Sequence, residues 1–189
     1  MNNKRIYILK EYIIKEIKSL IKEENVLITR RSPEERQKNY IIVIQKKIQQ
    51  YIKDGSKGSL NLSGAPITSL PDNLTVNGEL NLMNTKITSL PDNLTVTDGL
   101  YLNNTPITSL PNNLTVGDGL FLNKTKITQL PDNLTVNGPL SLRGTKITQL
   151  PDNLTVNGPL TLYNTPISKK YTKEQLRQML PGVKGDIYL

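Results

Sequence analysis

Any catalysis by this chain would have to rest on carboxylates, lysines and tyrosines, because its 189 residues include no histidine and no cysteine. Without imidazole or thiolate, the commonest general base, the thiol nucleophile and the usual zinc and copper ligands are all missing. Neither a metal site nor a cofactor is expected. Paired acids are the one conventional catalytic device left, and Asp92 and Asp132 are the candidates. Both recur at the same place in a repeating segment, next to a proline and an asparagine, so turn geometry accounts for them. The expectation is a non-enzymatic chain.

Residues suited to recognition stand out more clearly. Tyr101 and Phe121, the latter the single phenylalanine, lie 20 residues apart, and Met83, Arg143 and Tyr163 fall nearby in the same cycle. Aromatics, methionine and arginine are the types in which interfaces concentrate their energy. A second group is basic: Arg30 and Arg31 beside Arg36 and Lys38 form the densest cluster of cations. Residues 1–55 hold 13 Lys and Arg against 7 Asp and Glu, so most of the net charge of +8 resides there. Clustered cations release counterions from phosphates, which makes nucleic acid the alternative partner. Acidic Glu11, Glu16, Glu23 and Glu24 dilute that charge, and no nucleic-acid-binding motif accompanies it.

The elements that must position these residues follow from periodicity. From Leu60 through Leu80, Leu100, Leu120 and Leu140 to Leu160 the chain repeats every 20 residues without insertion. Each period returns the same apolar set, which for one coil is Leu80, Leu82, Ile87, Leu90, Leu94 and Val96. Six such positions cannot form a core within one period but can between stacked ones. Leu80-Asn81-Leu82 alternates as a short strand with both leucines inward. Leu90-Pro91-Asp92-Asn93 reads as a corner and return arm. Asn77-Gly78, Asp98-Gly99, Asp118-Gly119, Asn137-Gly138 and Asn157-Gly158 then suit a tight turn with positive φ into the next strand.

The pattern Leu-x-Leu-x-x-Thr-x-Ile-x-x-Leu-Pro over residues 59–168 resembles the short bacterial leucine-rich repeat, Leu-x-Val-x-x-Asn-x-Leu-x-x-Leu-Pro, of effector proteins. It is also similar to small repeat proteins of bacterial and phage genomes. The resemblance implies a leucine-rich-repeat solenoid of about six coils with a parallel sheet, of α+β class, that binds another protein, with a phage or bacterial inhibitor occupying a host factor as the narrower form of that expectation. Some bacterial members carry a ubiquitin-ligase domain with a catalytic cysteine, which this chain lacks. Where the family has asparagine, this chain has Thr85, Thr105, Thr125, Thr145 and Thr165, with Ala65 in the first coil. A threonine ladder is expected to satisfy backbone groups between coils as the asparagines do.

If the strands stack in parallel, two columns point outward: Asn61, Asn81, Tyr101, Phe121, Ser141, Thr161 and Ser63, Met83, Asn103, Asn123, Arg143, Tyr163. Tyr101 and Phe121 then lie about 5 Å apart on adjacent rungs. A third column, Pro66, Lys86, Pro106, Lys126, Lys146, Pro166, with Lys124 close by, makes a basic band suited to an acidic partner surface.

The ends differ. Residues 1–55 read as a helical cap or arm, 56–168 as the solenoid and 169–189 as a C-terminal cap. Leu9, Ile13, Ile17 and Leu20 give one amphipathic helix, with Lys15 and Lys18 among its polar positions. Ser32, Pro33 and Glu35 supply N-cap, N1 and N3 of a second, whose stripe is Ile41, Ile44, Ile48 and Tyr51. Ile6, Ile14, Ile21, Ile42 and Ile52 lie off the stripes, so pairing between chains is open. Thr172 and Gln175 open a short helix to about Leu180, and Ile187-Tyr188-Leu189 can pair as a last strand. Asn-Leu-Thr at Asn73, Asn93, Asn113, Asn133 and Asn153 reads as turn chemistry, since five glycans on neighbouring coils would collide. Lys4, Arg5, Lys10 and Glu11 interrupt the first apolar residues, so neither signal peptide nor membrane span is expected and a cytoplasmic setting follows.

Overall fold

The computed structural model describes Lys15, Glu16, Lys18, Ser19 and residues 32–189. The chain divides into a unit of residues 1–42 and a unit of residues 43–189. In the first, Lys15, Glu16, Lys18 and Ser19 are helical and exposed, while the stripe Leu9, Ile13, Ile17 and Leu20 falls outside the described residues.

Helix α1, Pro33–Lys53, starts where its capping signals place it. The Ser32 hydroxyl accepts from the Glu35 N–H at 3.1 Å and the Glu35 carboxylate accepts from the Ser32 N–H at 2.9 Å, the two arms of a capping box. The run Tyr40 to Ile44, rich in β-branched residues, stays helical because no breaker interrupts the stripe before Lys53. Within the second unit, Ile44 and Ile48 of this helix join the core and Tyr51 packs against it.

The solenoid strands are short. Strands β1 (Leu60–Asn61), β3 (Leu80–Asn81), β5 (Leu100–Tyr101), β7 (Leu120–Phe121), β9 (Leu140–Ser141) and β11 (Leu160–Thr161) stack in parallel, each leucine facing the next. All six apolar positions read from the coil at Leu80 are buried, and the same set is buried in the coils starting at Leu60, Leu100, Leu120 and Leu140 as one continuous core. This is a parallel β-solenoid of 20-residue coils, consistent with a leucine-rich-repeat-like protein. The return arm is more regular than a plain corner. Thr75–Val76, Thr95–Val96, Thr115–Val116, Thr135–Val136 and Thr155–Val156, here β2, β4, β6, β8 and β10, form a second parallel sheet of five strands. Valine is inward there and β-branched threonine outward, a pair suited to a half-buried strand.

Each Leu-x-Leu strand ends in a four-residue turn. The N–H of Thr85 donates to the Leu82 carbonyl at 3.2 Å, and its hydroxyl donates to the same oxygen at 2.8 Å. Thr105, Thr125, Thr145 and Thr165 repeat both bonds, and all five threonines are buried. The ladder expected to work between coils therefore works within each coil, because threonine is one bond shorter than asparagine and reaches only its own turn. Backbone bonds such as Asn84 N–H to Asn103 carbonyl, 3.0 Å, join the coils instead.

Positive φ also moves from its expected place. Gly78, Gly99, Gly119, Gly138 and Gly158 do not adopt it; the third turn residue does, at Gly64, Asn84, Asn104, Lys124, Gly144 and Asn164. A turn closed by an N–H to carbonyl bond with positive φ at its third position is of type II, which favours Gly or Asn there. The other glycines serve close approach: a Cβ on Gly78 would stand 2.5 Å from the Gly58 carbonyl carbon, and one on Gly117 only 1.8 Å from the Thr97 oxygen. At the corners Asn73, Asn93 and Asn133 have φ of 55°, 58° and 61°, the turn role expected of them.

Both ends are closed. Lys47 Nζ donates to the Asn61 carbonyl at 2.6 Å, and Tyr51 Oη lies 2.8 and 2.7 Å from the carbonyls of Ser56 and Gly58. At the far end α2 (Pro166–Lys170), capped by Thr165, precedes α3 (Lys173–Met179), which opens on the Thr172–Gln175 capping box. The five-residue α2 is too short to show a period in the sequence. Strand β12 (Ile187–Tyr188) then pairs with β11 as a seventh rung. Arg177 donates to the carbonyls of Val183 and Gly185 at 3.1 and 2.8 Å and fixes that return. Gly117→Ala is expected to lower stability by about 1–3 kcal/mol, as overpacking does, read as a lower urea midpoint at unchanged slope.

Candidate partner-binding face

The outward side of the seven-stranded sheet carries the variable residues. Tyr101 and Phe121 are cross-strand partners in register, their ring centroids 4.8 Å apart and their planes 4° from parallel. The rings fold back over the glycines two residues before them. A Cβ on Gly99 would lie 3.1 Å from Tyr101 Cε2, and one on Gly119 2.8 Å from Phe121 Cε2. Only these two coils combine an outward aromatic with glycine at that position; the others place Ser59, Glu79, Pro139 or Pro159 there. Tyr101 donates its hydroxyl to Glu79 Oε1 at 3.2 Å. Burial, then the neighbouring Glu79 and Asp118 carboxylates, raise the Tyr101 pKa above its ordinary value, so the phenol stays a neutral donor.

The other predicted residues are distributed around this pair. Met83, Asn103, Asn123, Arg143 and Tyr163 occupy the second position of the type II turns, past the strand ends. Met83 is half-buried and Arg143 exposed. Tyr163 packs apart from the stacked pair: its ring lies 6.4 Å from that of Tyr188, tilted by 32°, in a second aromatic group at the last rung. Tyr188 was missed as a face residue. Its signal was present, since a strand Ile187–Tyr188 continuing the leucine column puts the tyrosine outward opposite Thr161.

Charge is divided across the face. Exposed Glu79, Asp98 and Asp118 precede the strands, whereas exposed Lys86, Lys124, Lys126, Arg143 and Lys146 follow them. Asn103, Asn104, Asn123, Lys124 and Arg143 line a shallow concavity of about 300 Å³. Lys124 is the one residue other than Gly or Asn at the positive-φ turn position, with φ 58°.

Of the alternative basic cluster, Arg36 and Lys38 are exposed on α1, with Glu34 and Glu35 in its first turn; Arg30 and Arg31 lie outside the described residues. Ile42 and Ile52 are exposed, while Ile6, Ile14 and Ile21 lie outside the described residues. Asp92 and Asp132 are exposed at corners. Among the described residues there is no group of three or more His, Cys, Asp or Glu able to hold a metal, and no helix long and apolar enough to cross a membrane.

The strain at Lys124 has a measurable consequence. Left-handed backbone costs an ordinary residue about 1 kcal/mol and asparagine less, so Lys124→Asn should raise stability by about that amount in chemical denaturation. A stability equal to or below that of the parent chain would mean the turn holds lysine without strain. No family model matches the chain, and a search of curated proteins finds no match.

Proposed function

We propose that the chain is a non-enzymatic protein-binding solenoid that receives its partner on the sheet face at the stacked pair Tyr101–Phe121. The observation that carries this reading is the contrast between the two sides of one sheet. Inward positions repeat as leucine in every coil, while the outward columns vary and gather two stacked aromatics, Met83 and Arg143. Packing needs alone require no such variation, and aromatics over a rigid strand support are low in ordering cost. The acidic and basic borders of the face fit a partner of complementary polarity, which sets orientation more than affinity.

A cytoplasmic, reducing setting suits a chain without cysteine. The likeness of its repeat to bacterial effector repeats supports the narrower reading of a bacterial or phage protein that occupies and inhibits a host protein. Fold likeness alone names no partner.

Affinity capture from bacterial lysate with the intact chain and with a Tyr101→Ala, Phe121→Ala variant tests the reading, at low and high salt and with nuclease added. Asn61, Asn81, Ser141 and Thr161 already fill the same column, so the variant keeps a compatible surface. A partner held by the intact chain should bind the variant at least about 30-fold more weakly, the loss of a central hot spot. Equal binding by the variant would remove the pair from the site, and recovery of only salt-sensitive, nuclease-sensitive material would move the function to the basic residues of the first 55.

A further inference from the structure

Three successive turns next to the aromatic pair are wired in an unusual way. The Asn123 N–H donates to Asn103 Oδ1 at 2.9 Å, and the Arg143 N–H donates to Asn123 Oδ1 at 3.1 Å. The Ser141 hydroxyl also bonds Asn123 Oδ1. A backbone N–H can only donate, so each carboxamide must present its oxygen to the next coil and turn its NH2 group away. Among the described residues no acceptor takes either NH2. Asn104, which closes the concavity on one side, is bonded to Asn84 at 3.0 Å.

Two cations complete the arrangement. Lys124 holds a left-handed turn position that Gly64, Asn84, Asn104, Gly144 and Asn164 fill in the other coils. Its side chain leans over Gly144, where a Cβ would lie 3.4 Å from its Cγ, toward the coil that carries Arg143. Neither cation has a carboxylate partner: among the described residues the ion pairs are Lys173–Asp186 and Arg177–Asp186. The acids of this face, Glu79, Asp98 and Asp118, stand at the opposite ends of the strands. Asn103, Asn123, Lys124 and Arg143 thus line one shallow notch with donors for which the described residues offer no carboxylate partner.

We propose that this notch binds the carboxylates of an acidic segment of the partner protein, seated beside Tyr101 and Phe121. The inference rests on the binding face argued above and names the chemistry recognised there. Arginine and amide donors match the in-plane lone pairs of a carboxylate, and charge assistance strengthens each bond. The donors extend over three coils, about 10 Å at strand spacing, which is longer than one anion and suits a run of aspartates or glutamates. A nucleic-acid strand fits less well. One face of each ring of the Tyr101–Phe121 pair is spent on the other, and Glu79, Asp98 and Asp118 would repel phosphates across the strand.

The test is a heteronuclear NMR titration of the full chain with an acetylated, amidated tetraglutamate peptide, with inorganic phosphate and with an oligothymidylate in parallel. Tetraglutamate should shift the side-chain amides of Asn103 and Asn123 and the backbone amides of Lys124 and Arg143 in a saturable manner. A Lys124→Asn, Arg143→Asn variant should bind it about tenfold or more weakly, since two charge-assisted contacts are lost. Both replacements introduce residues that other coils carry at the same turn positions, so a folded spectrum is expected and serves as control. Shifts centred elsewhere, equal affinity in the variant, or tighter saturation by phosphate or oligothymidylate would each overturn the proposal. Failure of the aromatic pair is read separately: the Tyr101→Ala, Phe121→Ala chain should still bind tetraglutamate through the notch while losing the protein partner.

Discussion

Stacking one coil on the next at strand spacing, on two sides at once, is the constraint from which the rest follows. A coil that must present backbone to its neighbour along both the Leu-x-Leu strand and the Thr-Val strand has two corners to turn within 20 residues. The corner after Leu-x-Leu is closed by two donors from one threonine to one leucine carbonyl. Because those donors belong to a single buried residue of the same turn, this corner is closed within its own coil, while the coil's core still needs stacked neighbours. Coil-to-coil contacts are then left to backbone bonds and apolar burial, the additive nearest-neighbour arrangement of a solenoid. Close approach has its own requirement, visible at Gly78 and Gly117, where any side chain would enter the carbonyl of the coil below.

The same constraint explains how much could be read from sequence. A fixed period of 20 and an invariant apolar set identify the solenoid, its core and its leading strands, since burial is the strongest patterned term. Capping boxes at Ser32–Glu35 and Thr172–Gln175 were legible because they join two residues at a fixed short distance. Less legible was anything decided by neighbouring coils. Whether a glycine is needed for positive φ or for room cannot be told from Asn-Gly alone; here room decides, and the positive φ sits at Asn84 and its equivalents. The Thr-Val strands hide for a similar reason, as two residues show no alternation until a neighbour pairs with them.

On the face itself, the adjacency of Tyr101 and Phe121 followed from period alone, but the way the rings lie did not. Their tilt over Gly99 and Gly119 links two features of the sequence that look independent, the aromatic and the shifted glycine. Tyr163 packs with Tyr188 at the last rung of the same sheet rather than with the central pair, and the period alone does not show that partner, which lies outside the repeat.

Lys124 brings the two levels together. In a structure whose corners are otherwise solved the same way in every coil, the cheapest residue at the left-handed position is glycine or asparagine, and five of six coils use one. A lysine there gives up about 1 kcal/mol of local stability in a stack whose other terms are repeated and ample. Strain of that kind persists where the surroundings fix the conformation, and the threonine closure at Thr125 does fix it. The position also sets the side chain over Gly144, in the coil that carries Arg143. A cation placed anywhere on the rim would add charge; a cation at this one strained position adds charge where two carboxamides already turn their donors outward.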